Sequence, residues 1–467
     1  MKKISIVLAA ALMIVSFAFG GGNKAAGSAA PAGAPAATAP KGTVRIAWLG
    51  LSPDDRIDPI SGITYKGSYA LKDMIEKKLP GVKIEFVMIP NDNWIQKMQT
   101  TIEAGDADIG WYTNQVMAPD WFVDHRDFMK TDPKFSEADF EKTFTPGAKF
   151  YTRYRSFDYP EATNAIYGLP YDASAYYIVY DSQMFKQWGV QPLSQKPTFD
   201  EISQAAKKMT GKNPVTGQQN YGIYLVARWS EWLGVGSDMY PVVTNPTMDI
   251  TKLDTAKYVD VFKNSPTVLN YFQFLLDMIA CAPAGVVNET GFEQFYTANN
   301  NIGIMLDTSR TQTLYNYMQA KDKSVTDRFI PVLLPRSATG VSSFPEIHKI
   351  AVTKQAKDKN LAWQVVKTIC MDKDILNLLA SNYAVGNVPA LVDTSGIDIM
   401  KDSFTALRYQ DRQTGTFISD DYWYWRDPIR SIFSNVFAGK LTAAQARDTF
   451  YNGVTTWVSN KIKQKGK

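Results

Sequence analysis

Short apolar runs and amphipathic stretches take turns along the first part of the chain. Residues 43–49 (TVRIAWL) run into Gly50 and a Ser-Pro-Asp-Asp loop, which predicts a first strand. Ser68 is placed to cap a helix with Leu71, Met74, Ile75 and Leu79 on one face, and Pro80-Gly81 stops it. Residues 83–89 predict a second strand. Asn91 or Asp92 caps the next helix, whose apolar stripe is Trp94, Ile95, Met98 and Ile102 and whose end is Gly105. Residues 107–111 predict a third strand. Alternation of this kind implies a parallel sheet with helices on both faces, in which ligands meet the loops at the carboxyl ends of strands.

Further on, residues 198–201 (TFDE) form a capping box that opens a helix with Ile202, Ala205, Ala206 and Met209, ending at Gly211. Strands are expected at 176–180, 221–226, 301–306, 329–334 and 349–353. Helices are expected at 267–280, 360–380 and, behind a Thr442/Gln445 box, 443–458. No internal repeat is present.

Composition adds compartment and size. Lys2 and Lys3 precede an apolar run over 4–19 and small residues from Gly20 on, so residues 1–20 read as a secretory signal peptide cleaved after Gly20. The run falls short of the ~20 apolar residues that span a bilayer. Residues 16–27 (SFAFGGGNKAAG) offer no cysteine for a lipid anchor, so a freely diffusing periplasmic protein is expected. Residues 21–42, rich in Gly, Ala and Pro, read as a flexible linker. The remaining ~420 residues exceed what one hydrophobic core serves, which implies two or more lobes. The formal charge of +4 includes Lys2 and Lys3, and no basic cluster stands out, so nucleic acid is not an expected partner. Cys281 and Cys370 would sit in an oxidising compartment, where a disulfide and two buried thiols both remain open.

Several blocks in order resemble the family 1 extracellular solute-binding proteins, the group that includes maltose-binding and glycerol-phosphate-binding proteins. They are residues 80–87 (PGVKIEFV), 96–98 (QKM), 104–109 (AGDADI), 167–172 (YGLPYD), 180–185 (YDSQMF), 301–310 (NIGIMLDTSR), 359–363 (KNLAW) and 439–442 (GKLT). The resemblance implies an α/β, two-lobed periplasmic binding protein fold of type II kind, with a ligand cleft between the lobes. It implies lobe 1 over 43–168 and 307–353 and lobe 2 over 171–305 and 356–467, with crossings near Leu169-Pro170 and Lys354-Gln355. It also implies capture of a sugar-like solute, with an oligosaccharide as the expected ligand, for the permease subunits of an ABC importer, by a monomer without cofactor or metal. A ligand-dependent sensor of the same fold, or a binder of another solute, remains open. One departure is Ala107-Asp108, where the family usually has Pro-Asp.

Sugar rings stack on aromatic faces and their hydroxyls need both donors and acceptors. Loop positions supply both. The candidates are Asp54 and Asp55 after the first strand, Trp111 and Tyr112 at the end of the third, Tyr171 and Asp172 after the first crossing, and Trp229, Glu231 and Trp232 after 221–226. Ser309 and Arg310 follow 301–306, and Trp423 and Trp425 belong to the aromatic run DYWYWR at 421–426. Structural readings stand beside them: core packing for Trp111 and for Trp94, a solvated turn for Asp54 and Asp55, an ion pair for Arg310, and lobe packing for Trp423 and Trp425.

No GxSxG, HExxH, CxxC or P-loop motif occurs. The two histidines, His125 and His348, read as surface or structural residues, and no enzyme is expected.

Overall fold

The computed structural model describes residues 40–57, 64–113, 118–156, 158–174, 176–227, 230–235, 242–243, 266–292, 294–308, 318, 321–335, 346–382, 388–398, 416–417 and 422–465. Two larger sheets organise them. The first holds six strands in the order Val388–Pro389, Leu169–Ser174, Glu346–Val352, Ile109–Tyr112, Gly42–Leu49 and Val82–Ile89. The second holds five, in the order Phe329–Val332, Tyr176–Asp181, Ile302–Thr308, Gln219–Tyr224 and Gly211–Lys212.

In the first sheet Gly42–Leu49 runs parallel to both Val82–Ile89 and Ile109–Tyr112. Val44, Ile46, Ala47 and Trp48 are all buried, so both faces of that strand are covered, as a parallel sheet between helices requires. The helix Ser68–Lys78 packs Leu71 and Ile75 inward, and Trp94–Glu103 does so with Met98 and Ile102. Neither starts on the cap expected. Gly67 and Asn93 hold the N-cap positions without a side-chain bond, and Ser68 is instead buried with its amide on the Ser52 carbonyl at 2.8 Å. Residues 360–380 form two helices, Lys359–Met371 and Lys373–Asn382. Asp372 separates them, and its Oδ1 accepts the Asp374 and Ile375 amides at 3.0 and 3.2 Å, which caps the second helix.

The second sheet mixes a parallel pair, Ile302–Thr308 with Gln219–Tyr224, with antiparallel neighbours. The capping box at Thr198 and Glu201 opens the helix Phe199–Lys208, and Phe199 packs edge-on to Tyr271 and Phe274 of the helix Pro266–Ile279. Pro266–Ile279 in turn meets Tyr422–Phe437 and Ala443–Lys465. The Thr442/Gln445 box is present, with amide-to-side-chain bonds of 2.9 and 3.2 Å.

The sheets divide the chain differently from the expected boundaries. Residues 169–174 are a strand of the first sheet, hydrogen-bonded to Glu346–Val352, so the crossing lies at 174–176 rather than at Leu169-Pro170. Phe329–Val332 pairs with Tyr176–Asp181 in the second sheet, and the return to the first falls between 332 and 346 instead of at Lys354-Gln355. Lys359–Met371 packs on the first sheet, burying Leu361, Trp363 and Val366. Residues 1–39, including the signal peptide and most of the linker, lie outside the described residues.

Each sheet has a buried aspartate at one end. Asp108 accepts bonds from the Arg45 amide at 2.9 Å, from the Arg45 guanidinium at 3.2 Å and from the Lys357 amide at 3.0 Å. Burial works against that charge, but the bonds outweigh it and hold the Asp108 carboxyl below its usual pKa. Asp181, fully buried, accepts from Arg328 Nε and Nη2 at 2.9 and 2.6 Å and from Asn300 Nδ2 at 2.7 Å. His125 is buried too, and its Nε2 accepts the Val352 amide at 3.0 Å. Both cysteines are buried free thiols, so no disulfide joins Cys281 to Cys370.

Two outcomes follow for stability. Asp181→Ala leaves Arg328 buried without its carboxylate and should cost about 3–5 kcal/mol, read from denaturant unfolding. His125 is pushed by burial from 6.5 to about 3, with Asp124 offsetting only part of the shift. The unfolded chain therefore takes up a proton near pH 6.5 that the folded protein refuses, and stability falls as pH drops from there toward 3. At pH 5 this term should amount to about 2 kcal/mol, and His125→Gln, which keeps an acceptor, should flatten that part of a stability-against-pH curve.

Candidate functional site

The carboxyl ends of the parallel strands in the first sheet carry Trp48, Met88 and Trp111. Glu346–Val352 and Leu169–Ser174, antiparallel to each other, bring His348, Tyr171 and Asp172 to the same end. The pairing there is irregular. His348 opposes Asp172 and Lys349 opposes Pro170, which leaves Tyr171 as an extra residue in its strand. Pro170 has no amide to give the ladder, and a bulge at that point turns side chains that would otherwise alternate. Consecutive residues Tyr171 and Asp172 thereby reach one cluster.

Within it, Trp111 Nε1 donates to the Tyr171 hydroxyl at 2.7 Å. The Trp111 ring lies 5.4 Å from Trp94, edge-on, and 5.2 Å from the His348 imidazole. Trp48 sits 5.4 Å from Tyr171 on the inner side. His348 Nδ1 is 2.7 Å from Asp172 Oδ1, and both side chains keep partial exposure, at 13% and 15%. The result is an aromatic cluster that is largely buried, with Trp111 6% and Tyr171 5% exposed, as the core-packing reading of Trp111 expects, and with a partly exposed carboxylate on its edge. Gly168 precedes it at φ 114°, where a Cβ would stand 2.7 Å from the Ile350 carbonyl and 3.1 Å from the Tyr112 ring, so the glycine of YGLP lets the strand enter at this distance.

The platform is close to the second sheet along the chain, since Leu169–Ser174 leads into Tyr176–Asp181 across a single residue. Tyr176 opposes Thr308 at the carboxyl end of Ile302–Thr308. The strand ends of both sheets therefore meet at the crossing, where two-sheet α/β proteins hold ligands. The family model for bacterial extracellular solute-binding proteins matches residues 63–369. The chain belongs to this family.

Solved structures agree on the fold of this solute-binding protein, which is the two-lobed periplasmic type. The sugar-binding protein MalE from Xanthomonas citri superposes with a TM-score of 0.66 at 13% identity, covering 91% of this chain and 98% of its own. An ABC substrate-binding protein from Listeria monocytogenes in complex with cycloalternan gives 0.64 at 14% identity, covering 90% and 100%. An ABC transporter solute-binding protein from Agrobacterium vitis with bound D-mannitol gives 0.57 at 18% identity, covering 91% and 99%. Comparison with curated protein sequences gives no match. Among the described residues no helix is long and apolar enough to cross a membrane, and no cluster of side chains suits a metal ion.

The solute-binding protein brings three of the expected site residues together: Trp111, Tyr171 and Asp172. Tyr112 alternates to the other face, where its ring lies 4.8 Å from Phe122 and the Lys349 ammonium sits 4.7 Å above it, so it packs in the core. Asp55 belongs to the loop. Its carboxylate accepts Lys66 Nζ at 2.7 Å and the Gly67 amide at 2.9 Å, and these bonds lower its pKa while fastening residues 53–55 to the start of Ser68–Lys78. The contact is close enough that a Cβ on Gly67 would fall 2.2 Å from the Pro53 carbonyl. Asp54 is exposed in the same turn. Trp229, Ser309 and Arg310 lie outside the described residues. Glu231 and Trp232 fall in the helix Ser230–Val235 and Trp423 and Trp425 in Tyr422–Phe437, with side chains outside the description.

Two platform residues escaped the sequence reading. Trp48 holds the place at the end of its strand that Trp111 holds at the end of another, and that symmetry was a usable signal. His348 was read as a surface or structural residue, and the strand expected at 349–353 begins three residues earlier, at Glu346. Trp94, read as a helix-face core residue, is half-buried against Trp111. Tyr171→Phe removes the acceptor of the Trp111 indole N–H and should lower unfolding stability by about 1 kcal/mol in urea titrations.

Proposed function

We propose that this solute-binding protein captures a neutral carbohydrate or polyol at the crossing between its sheets, in the periplasm, and delivers it without turnover to the permease subunits of an ABC importer. The observation that carries this reading is the Trp111, Tyr171 and Asp172 platform at the strand ends. An indole face is suited to the apolar face of a sugar ring, and a partly exposed carboxylate to its hydroxyls. The relatives with cycloalternan and D-mannitol in their structures support the same ligand class.

Each sheet would be the core of one lobe. In this division the first lobe takes the strands through Ser174 together with 346–382, and the second takes 176–332 and the two C-terminal helices, Tyr422–Phe437 and Ala443–Lys465. From the second lobe Trp229, Trp232 and Arg310 remain candidate partners for the solute, as do Glu231, Ser309, Trp423 and Trp425. A solute that touches both lobes favours the closed arrangement by the contacts it makes only there.

Thermal unfolding of the mature monomer against maltose, other oligosaccharides, D-mannitol and ribitol tests the proposal, with glycerol phosphate, amino acids and polyamines as controls. A bound sugar at about 100 times its Kd should stabilise the fold by about 2.7 kcal/mol, a clear rise in Tm, with the sugar recovered unchanged. A rise with a control solute and none with any sugar or polyol would overturn the carbohydrate assignment.

A further inference from the structure

We infer that Trp94 is the side chain on which the solute stacks: its indole, at the open edge of the strand-end cluster, takes the apolar face of a sugar ring or polyol chain, and Trp111 and Tyr171 form the wall behind it. The inference rests on the carbohydrate reading above and moves the stacking role within it to a residue that sequence reasoning gave to the core.

Exposure separates the aromatic side chains of the cluster. Trp48, Trp111 and Tyr171 keep 2%, 6% and 5% of their surface, too little for a solute to cover a ring face. Trp94 is the indole there that remains partly open. Its place follows from the topology. Val82–Ile89 runs parallel to Gly42–Leu49, so its carboxyl end lies beside Trp48. After residues 90–93 the chain enters the helix Trp94–Glu103, with Trp94 as its first residue. That helix turns Met98 and Ile102 inward, while Asn91, Asp92, Asn93 and Ile95 around Trp94 are exposed.

The contacts of the ring suit the task. Trp94 meets Trp111 edge-on, at 5.4 Å and 73°, and an edge-to-face contact covers at most one face of one ring. Trp111 is its one ring neighbour among the described residues. Trp111 is fixed in turn by its 2.7 Å bond to the Tyr171 hydroxyl, so Trp94 leans on a wall that needs no ordering when solute arrives. The Trp94 indole N–H has no hydrogen-bond partner among the described residues and is not sealed from solvent, unlike that of Trp111, which Tyr171 takes up. A spare donor beside an open ring face matches a solute that offers hydroxyls next to C–H surface.

Nitrogen-15 spectra of the indoles test the contact directly, because the chain has 11 tryptophans and each gives one Nε1–H signal. The signals of Trp94 and Trp111 are assigned by their loss in Trp94→Phe and Trp111→Phe. On saturation of the wild-type protein with maltose, D-mannitol or ribitol, the Trp94 signal should move, and further than that of Trp111. Calorimetry with the same compounds gives the share of affinity. Trp94→Ala should weaken binding about tenfold or more, and Trp94→Phe, which keeps a ring packed on Trp111, about threefold. A Trp94 signal that stays still while a sugar or polyol binds, or equal affinity in wild type and Trp94→Ala, would overturn the stacking role with the carbohydrate reading intact. Because the spectra are read on the wild-type protein, that outcome does not depend on how well Trp94→Ala folds. Binding of none of the three compounds by the wild-type protein would instead overturn the carbohydrate reading and the role that rests on it.

Discussion

A carboxylate buried at one end of each sheet sets the frame for everything at the other end. Asp108 ties the strand that follows it to Arg45 in the neighbouring strand and to the turn at Lys357. Asp181 closes its own strand and gathers Arg328, Asn300 and the first amides of the helix Ser182–Gln187. In both sheets the carboxylate sits away from the crossing. A charge of this kind is tolerated in a low-dielectric interior only when its acceptor sites are filled, and filling them takes groups from two segments at Asp108 and from three at Asp181. Strand register is thus decided at these ends, and the opposite end of the first sheet carries the Trp111, Tyr171 and Asp172 cluster.

Much of the architecture was legible because it is written in local chemistry. Thr198 with Glu201 and Thr442 with Gln445 announce their helices by two bonds each, made within four residues. Strand runs such as TVRIAWL, with Val44, Ile46 and Trp48 on one face and Ala47 and Leu49 following Arg45 on the other, admit little else. What escaped depends on distant partners. Pro170 looks like a break, since it lacks an amide, and only the ladder to Glu346–Val352 shows that the strand continues through it as a bulge. Asp372 reads as one more helix residue until its carboxylate is seen to cap the following helix.

The site divides along the same line. Trp111, Tyr171 and Asp172 were singled out by a positional rule, that binding groups gather where parallel strands end, and they do stand together there. Asp54 and Asp55 obey the rule as well, yet Asp55 is taken up by Lys66 and Gly67, bonds that nothing in the residue order distinguishes from an open loop. Tyr112 shows the opposite limit: one step along a strand reverses the face, and only the register tells which of two adjacent aromatics joins Tyr171 and His348. Trp48 and His348 entered the cluster from 124 residues upstream and 176 residues downstream of Asp172, through pairings with the sheet's middle rather than through their own neighbours in sequence.

The single residue between Leu169–Ser174 and Tyr176–Asp181 also has a mechanical meaning. If one sheet turns relative to the other about this link, displacement grows with distance from it, as along a lever. Asp172 and Tyr176, within three residues of the link, would then travel little, and the contacts they offer would be nearly the same before and after the turn. Groups farther out sweep the larger arcs. A solute would meet the stationary platform first and acquire its outer contacts afterwards, which separates recognition of one sugar face from the enclosure of the whole molecule.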